Sequence, residues 1–160
     1  MNVGHVGHAP TLLTLRRSDA FSRWQFPTCA IAYPRCMRQQ FNSIESAIVD
    51  LRQGKMIIVV DDADRENEGD LIMAAQFVTP ENVNFMAKHG RGLICVPTIS
   101  ERLQQLGIER MVRQNRETFG TDFQISVDAA RGITTGISAA DRAQTIRIMA
   151  EPTAVPEELV

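Results

Sequence analysis

Ten residues carry most of this chain's capacity for chemistry. "DDADRENEGD", residues 61–70, holds six carboxylates (Asp61, Asp62, Asp64, Glu66, Glu68 and Asp70) and one cation, Arg65. From Asp62 onward the acids are spaced by two. In an extended chain, residues two apart project from one face, and at ~3.3 Å of rise per residue their carboxylates stand about 6–7 Å apart. Like charges that close raise one another's pKa and cost stability unless a cation intervenes. Arg65 is one such cation. A hard divalent metal, which prefers oxygen ligands, is another. A calcium EF-hand loop does not fit: counted from Asp62, its glycine position holds Asn67 and its closing glutamate position holds Met73. Two readings remain. Charge runs are commonly solvated surface, and this one can be an acidic loop that ends a strand. It can also be an active site at the carboxyl end of a buried strand, where open α/β sheets place ligands. "MIIVV" before it and "LIMAA" after it favour the second, because a solubilising loop has no need to be wedged between core segments.

The elements that must hold this stretch follow from periodicity and caps. "NSIESAIVDLRQG" predicts a helix with Asn42 at the N-cap and Glu45 at capping-box distance. Ile44, Ala47, Ile48 and Leu51 share its apolar face, and Gly54 closes it. "MIIVV" reads as a strand buried on both faces, since it is β-branched and does not alternate. Thr79-Pro80 opens a second helix with proline at its first position. Val83, Met86 and Ala87 form its stripe, and Gly90 ends it. "LICV" (93–96) reads as a short buried strand. Ser100 reads as the cap of a short helix ended by Gly107. "DFQISVD" (122–128) alternates Phe123, Ile125 and Val127, the pattern of a half-buried strand. "GITTG" (132–136) is a tight loop. Ser138 with Asp141 caps a last helix that keeps Ala139, Ala143, Ile146 and Ala150 on one side, and the tail "EPTAVPEELV" reads as a loop or as the start of an element that never finishes. Strands and helices interleave, so the expected fold class is α+β or layered α/β, a mixed sheet flanked by helices.

Composition narrows the partners. A chain of 160 residues, 44% hydrophobic, is long enough for one domain with a sizeable core. A formal charge of −2 gives no reason to expect nucleic acid or an anionic membrane as partner, and no apolar run reaches membrane-spanning length. The charge is uneven. Residues 1–40 carry five arginines, no lysine and a single acid, Asp19, for a net +4, which leaves −6 for residues 41–160. With Pro10, Pro27 and Pro34 and no steady period, residues 1–40 read as a disordered or transit-like leader. Cys29, Cys36 and Cys95 are odd in number and lack CxxC spacing, which argues against a disulfide framework and a zinc site. A reducing, cytoplasmic location is expected, or an organelle if the leader directs transit.

"DDADRENEGD", the preceding "FNSIESAIVDLRQGKMIIVVDD", "HGRGLICVP" (89–97) and "FGTDFQISVDAARGITTGISAADRAQTI" (119–146) together resemble the 3,4-dihydroxy-2-butanone-4-phosphate synthase family of riboflavin biosynthesis, in segment order and in spacing. The resemblance covers 41–160, three quarters of the chain. Ala63 departs from it, standing where the family commonly has another acid. The resemblance implies a lyase that converts ribulose 5-phosphate to 3,4-dihydroxy-2-butanone 4-phosphate and formate with Mg²⁺ or Mn²⁺, working as a homodimer. By motif position, Glu66 resembles the metal ligand. Arg65, Glu66 and Asp70 resemble substrate contacts, Glu68 and Asp70 are the catalytic candidates, and Glu68 is the candidate for proton transfer. Cys95 lies near the site in the family. Thr135, in the "GITTG" loop, is expected to contact substrate, whereas Asp141 and Arg142 are expected to cap and brace the last helix. The resemblance further implies that 41–160 is the amino-terminal portion of the synthase domain, incomplete at its carboxyl end. A histidine metal ligand, a phosphate-binding arginine and further His and Glu residues would come later. The alternative function is a catalytically incomplete piece that only binds divalent metal or sugar phosphate, and a plain domain with an acidic surface is a third reading.

Overall fold

Local capping chemistry sets most element boundaries in the structure, a computed structural model, which describes residues 4–5, 41–61, 68–118 and 120–160. Apart from residues 4–5, the expected leader therefore lies outside the described residues. In chain order the elements are β1 (Gly4–His5), α1 (Ile44–Arg52), β2 (Ile57–Val60), β3 (Gly69–Ile72), α2 (Pro80–Phe85), α3 (Ser100–Gln105), β4 (Asp122–Phe123) and α4 (Ala139–Ala150). Two short 3₁₀ turns, Ala75–Phe77 and Pro156–Glu158, and a π turn, Met86–Gly90, complete the set among the described residues. β1 pairs with β4 and β2 with β3, both antiparallel. The fold is α+β. Among the described residues no parallel pair occurs.

The chain divides into two units, Pro10–Ile72 and Met1–Ala9 with Met73–Val160. In the first, α1 begins one residue later than the sequence suggests. Ser43, extended at φ −71 and ψ 154, accepts from the Ser46 N–H and displaces Asn42 as cap. The helix ends in a Schellman arrangement, with the Gly54 N–H on the Leu51 carbonyl and the Lys55 N–H on the Asp50 carbonyl. Gly54 takes the left-handed φ of 73 that this ending requires. Ala47 packs with Val59 and Ile57. Only Val59 of β2 is fully buried, which corrects the expectation of a strand covered on both faces. β2 runs in a hairpin with β3, in register from Ile57↔Ile72 to Val60↔Gly69.

In the second unit, Thr79 and Asn82 form the reciprocal capping box that opens α2, with Pro80 at its first position. Six residues are too few to persist as an isolated helix. Burial of Val83, 1% exposed, in the core alongside Ala143, Ile146 and Met149 of α4 supplies the stability, about 1.5–3 kcal/mol for an aliphatic side chain of this kind. α2 runs on into a π turn, Met86–Gly90, and the chain exits at Arg91 in the left-handed region, φ 62, one residue beyond the expected stop. Ala87 is exposed, not part of an apolar stripe.

Two expected strands are shorter than their patterns suggest. Over 93–96 only Cys95 forms a bridge, and Leu93 is 72% exposed. Over 122–128 the strand ends at Phe123. Gln124 is buried and satisfies its amide on the Asp122 carbonyl, while Ile125 faces out and gives its N–H to Glu109. The path then turns, so that Asp128 and Ala130 pair with Val160 and Glu158. The tail is thus a pairing partner rather than a loop, and Ala154 and Leu159 are buried in the core. α3 starts with Ser100 as its first helical residue; Ile99 holds the N-cap position without a side-chain bond.

Candidate active site

The described ends of the acidic stretch, Asp61 and Glu68, join the hairpin of β2 and β3. Asp61 closes it from one side: its N–H reaches the Glu68 carbonyl at 3.4 Å and its carboxylate accepts from the Glu68 N–H at 2.9 Å. The chain therefore reverses between Asp61 and Glu68, so Glu68 and Asp70 stand on the returning strand rather than on an extension of β2. Glu68 immediately precedes β3 and Asp70 lies in it opposite Val59, so the two share a face. Both are exposed, and among the described residues neither carboxylate forms an ion pair. Arg65 and Glu66, with Asp62 and Asp64, lie outside the described residues.

Thr135 belongs to the second unit, in the turn before α4. Ser138 caps α4 by accepting from the Asp141 N–H at 3.0 Å. The Asp141 carboxylate is consequently free of capping duty and turns back onto the loop. It accepts from the Thr134 N–H at 3.1 Å, the Thr134 hydroxyl at 2.8 Å and the Gly136 N–H at 3.2 Å. The Thr134 hydroxyl holds this carboxyl below the usual carboxylate range; the N–H groups of Thr134 and Gly136 and the Ser138 hydroxyl act the same way, against burial, which pushes it up. Its residue is 4% exposed. Thr145 continues the network, accepting from the Ala129 N–H and donating to the Asp141 carbonyl. Gly132 and Gly136 take left-handed φ values of 73 and 78, and the Asp128 carboxylate fills the space where Gly136 would carry a Cβ.

The expectation that Asp141 braces the last helix thus holds in part, but its carboxylate serves the loop. No short-range pattern distinguishes those two uses, since a carboxylate at this position suits either the helix N-terminus or a partner upstream. Asp61 likewise enters the site as the residue that closes the hairpin. Cys95 is half-buried and forms no disulfide among the described residues, and His89 is exposed with its ring 4.5 Å from that of Phe85. Among the described residues no group of three His, Cys, Asp or Glu side chains is placed to hold a metal, and no helix is long and apolar enough to cross a membrane.

Fold and site together define an α+β protein whose candidate groups are carboxylates on a hairpin turn and threonines on a helix-anchored loop. The model of one family, 3,4-dihydroxy-2-butanone 4-phosphate synthase, matches residues 45–160. A synthase of that name from Neisseria meningitidis serogroup B is 56% identical over 117 residues, 73% of this chain and 32% of the relative. The riboflavin biosynthesis protein RibBA of Aquifex aeolicus is 57% identical over 123 residues, 76% of this chain and 30% of the relative. A crystal structure of a 3,4-dihydroxy-2-butanone 4-phosphate synthase in complex with two magnesium ions superposes with a TM-score of 0.73 at 44% identity, covering 75% of this chain and 56% of that one. The chain belongs to the 3,4-dihydroxy-2-butanone 4-phosphate synthase family. It spans about a third of the length of those two relatives.

Proposed function

We propose that the chain serves riboflavin biosynthesis as the amino-terminal portion of a synthase, a lyase that converts ribulose 5-phosphate to 3,4-dihydroxy-2-butanone 4-phosphate and formate. The observation that carries this reading is the hairpin that Asp61 closes onto Glu68, with Glu68 and Asp70 exposed and unpaired among the described residues, in a chain of this family. Carboxylate oxygens are the donors a hard divalent cation prefers, so the acid-rich sequence 61–70 suits Mg²⁺, and Mn²⁺ in its place. Glu66 is the residue that would hold the ion, and the ion would supply polarisation of the substrate ketone.

The chain's own groups do the rest. Arg65 and Asp70 orient the sugar phosphate. Glu68 moves a proton between carbon and oxygen, the work of a carboxylate placed within hydrogen-bond reach of the substrate. Thr135 offers a hydroxyl and an N–H to a phosphate or sugar oxygen. The working form is a cytoplasmic homodimer, checked by sedimentation at twice the 17.8 kDa chain mass. The deciding test is formate release from ribulose 5-phosphate with and without Mg²⁺, beside calorimetric titration of the same substrate. Formate release that requires Mg²⁺ and is lost in Glu66→Gln supports the full reading. Mg²⁺-dependent binding without release restricts the chain to a binding role. No binding under either condition overturns the proposal.

A further inference from the structure

The loop ahead of α4 is tied down on both sides of Thr135. Its two neighbours are fixed inward on a single carboxylate, Thr134 through its N–H and hydroxyl and Gly136 through its N–H. Between them Thr135 is exposed and, among the described residues, makes no hydrogen bond with its N–H, carbonyl or hydroxyl. Asp141 is not needed as a helix cap, because the Ser138 hydroxyl already accepts its N–H. A buried aspartate whose carboxylate accepts only from the two residues flanking an exposed threonine, among the described residues, is an expensive arrangement for a plain turn. The arrangement suits a rigid presenting loop, since groups held in place before binding lose little freedom when they bind.

We propose that Asp141 is a positioning residue for substrate binding: it fixes the 134–136 backbone so that the Thr135 N–H and hydroxyl are presented together to an anionic or hydroxylated ligand, a phosphorylated sugar. The proposal rests on the function proposed above. Asp141 touches no substrate and acts only through Thr135. It follows that the contributions of the two residues to binding are not independent.

The test combines hydrogen exchange with titration of ribulose 5-phosphate in the presence of Mg²⁺, on the 160-residue chain and on Asp141→Ala, Thr135→Val and the double variant. Asp141→Ala is expected to lose exchange protection at the Thr134 and Gly136 amides and about tenfold in affinity, the worth of one charge-assisted hydrogen bond. Thr135→Val is expected to lose a similar factor with protection intact, and the double variant to bind no more weakly than Asp141→Ala alone. If Asp141→Ala does not fold, Thr134→Val removes one anchor without touching the helix and is expected to give a smaller loss that likewise disappears in the Thr135→Val background. Unchanged affinity once protection is gone, unchanged protection, or losses that simply add would overturn the proposal while leaving the functional reading in place. If the parent chain binds no ribulose 5-phosphate, that reading fails, and this inference with it.

Discussion

Gly136 shows how tightly single residues constrain the threonine loop. Its φ of 78 is left-handed, and a Cβ there would meet the Asp128 carboxylate. Gly136→Ala is therefore expected to cost about 2 kcal/mol or more, part from the left-handed backbone and part from the clash. Gly132→Ala, where a Cβ would meet the flexible end of Gln144, is expected to cost less. Chemical denaturation of both variants checks the order, and equal losses would show that the Asp128 contact does not matter. Asp141 adds a pH dependence. Its carboxyl is held below the usual range by the Thr134 hydroxyl, so the stabilisation is fully present above the unfolded value of about 3.9 and is lost as pH falls through the lower folded value. The melting temperature of the parent should thus fall toward that of Asp141→Asn as pH drops below about 4, and a gap that stays constant with pH would contradict the assignment. In sequence these residues are only partly legible. The acid run, and Glu68 and Asp70 within it, stand out because carboxylates crowd there; the link between Asp141 and Thr134 spans a loop whose geometry no spacing rule encodes.

Among the elements, α4 depends on a clamp that sequence patterns do not reveal. Arg102 of α3 spreads its guanidinium over the carbonyls that end α4. Its Nε donates to Met149 at 3.1 Å, its terminal nitrogens to Ile148, Glu151 and Pro152, and one of them also to the Gln105 side chain. The last carbonyls of a helix have no partner within it, and a cation there also meets the negative end of the helix dipole. Arg102→Ala is expected to cost about 2 kcal/mol, the range for hydrogen bonds to a charged group. Arg102→Lys should recover only a minor part, because an ammonium cannot span four carbonyls as a planar fork does. Full recovery in the lysine variant, measured by denaturant midpoint, would show that charge alone matters. The contrast explains which elements are readable in advance. Thr79, Pro80, Gly54 and Ser138 announce helix ends because capping is local, completed within about three residues. The pairing of 128–130 with 158–160 and the break at Gln124 depend on partners far along the chain, and alternation of Phe123, Ile125 and Val127 misleads because the strand stops before the pattern does.

At the scale of the molecule, the two units should respond differently to metal if the hairpin binds it. A ligand that binds only the folded state stabilises it by mass action, about 1.4 kcal/mol at ten times its dissociation constant. For a chain of this size that is roughly a 3–6 °C rise in melting temperature. The donors proposed for Mg²⁺ lie in the unit Pro10–Ile72, whereas the main buried cluster, from Val78 to Leu159, lies in the other. Val83→Ala, at a site 1% exposed, should therefore lower stability by about 2 kcal/mol through lost packing and yet keep the Mg²⁺ response. Glu66→Gln should do the reverse, leaving the metal-free melting temperature near that of the parent and abolishing the rise. Where the units melt in separate transitions, the metal-dependent shift should be confined to the transition that carries α1 and the hairpin. A Mg²⁺ response that survives Glu66→Gln, or one that vanishes in Val83→Ala, would place the ion elsewhere in the chain and remove the hairpin turn from the chemistry.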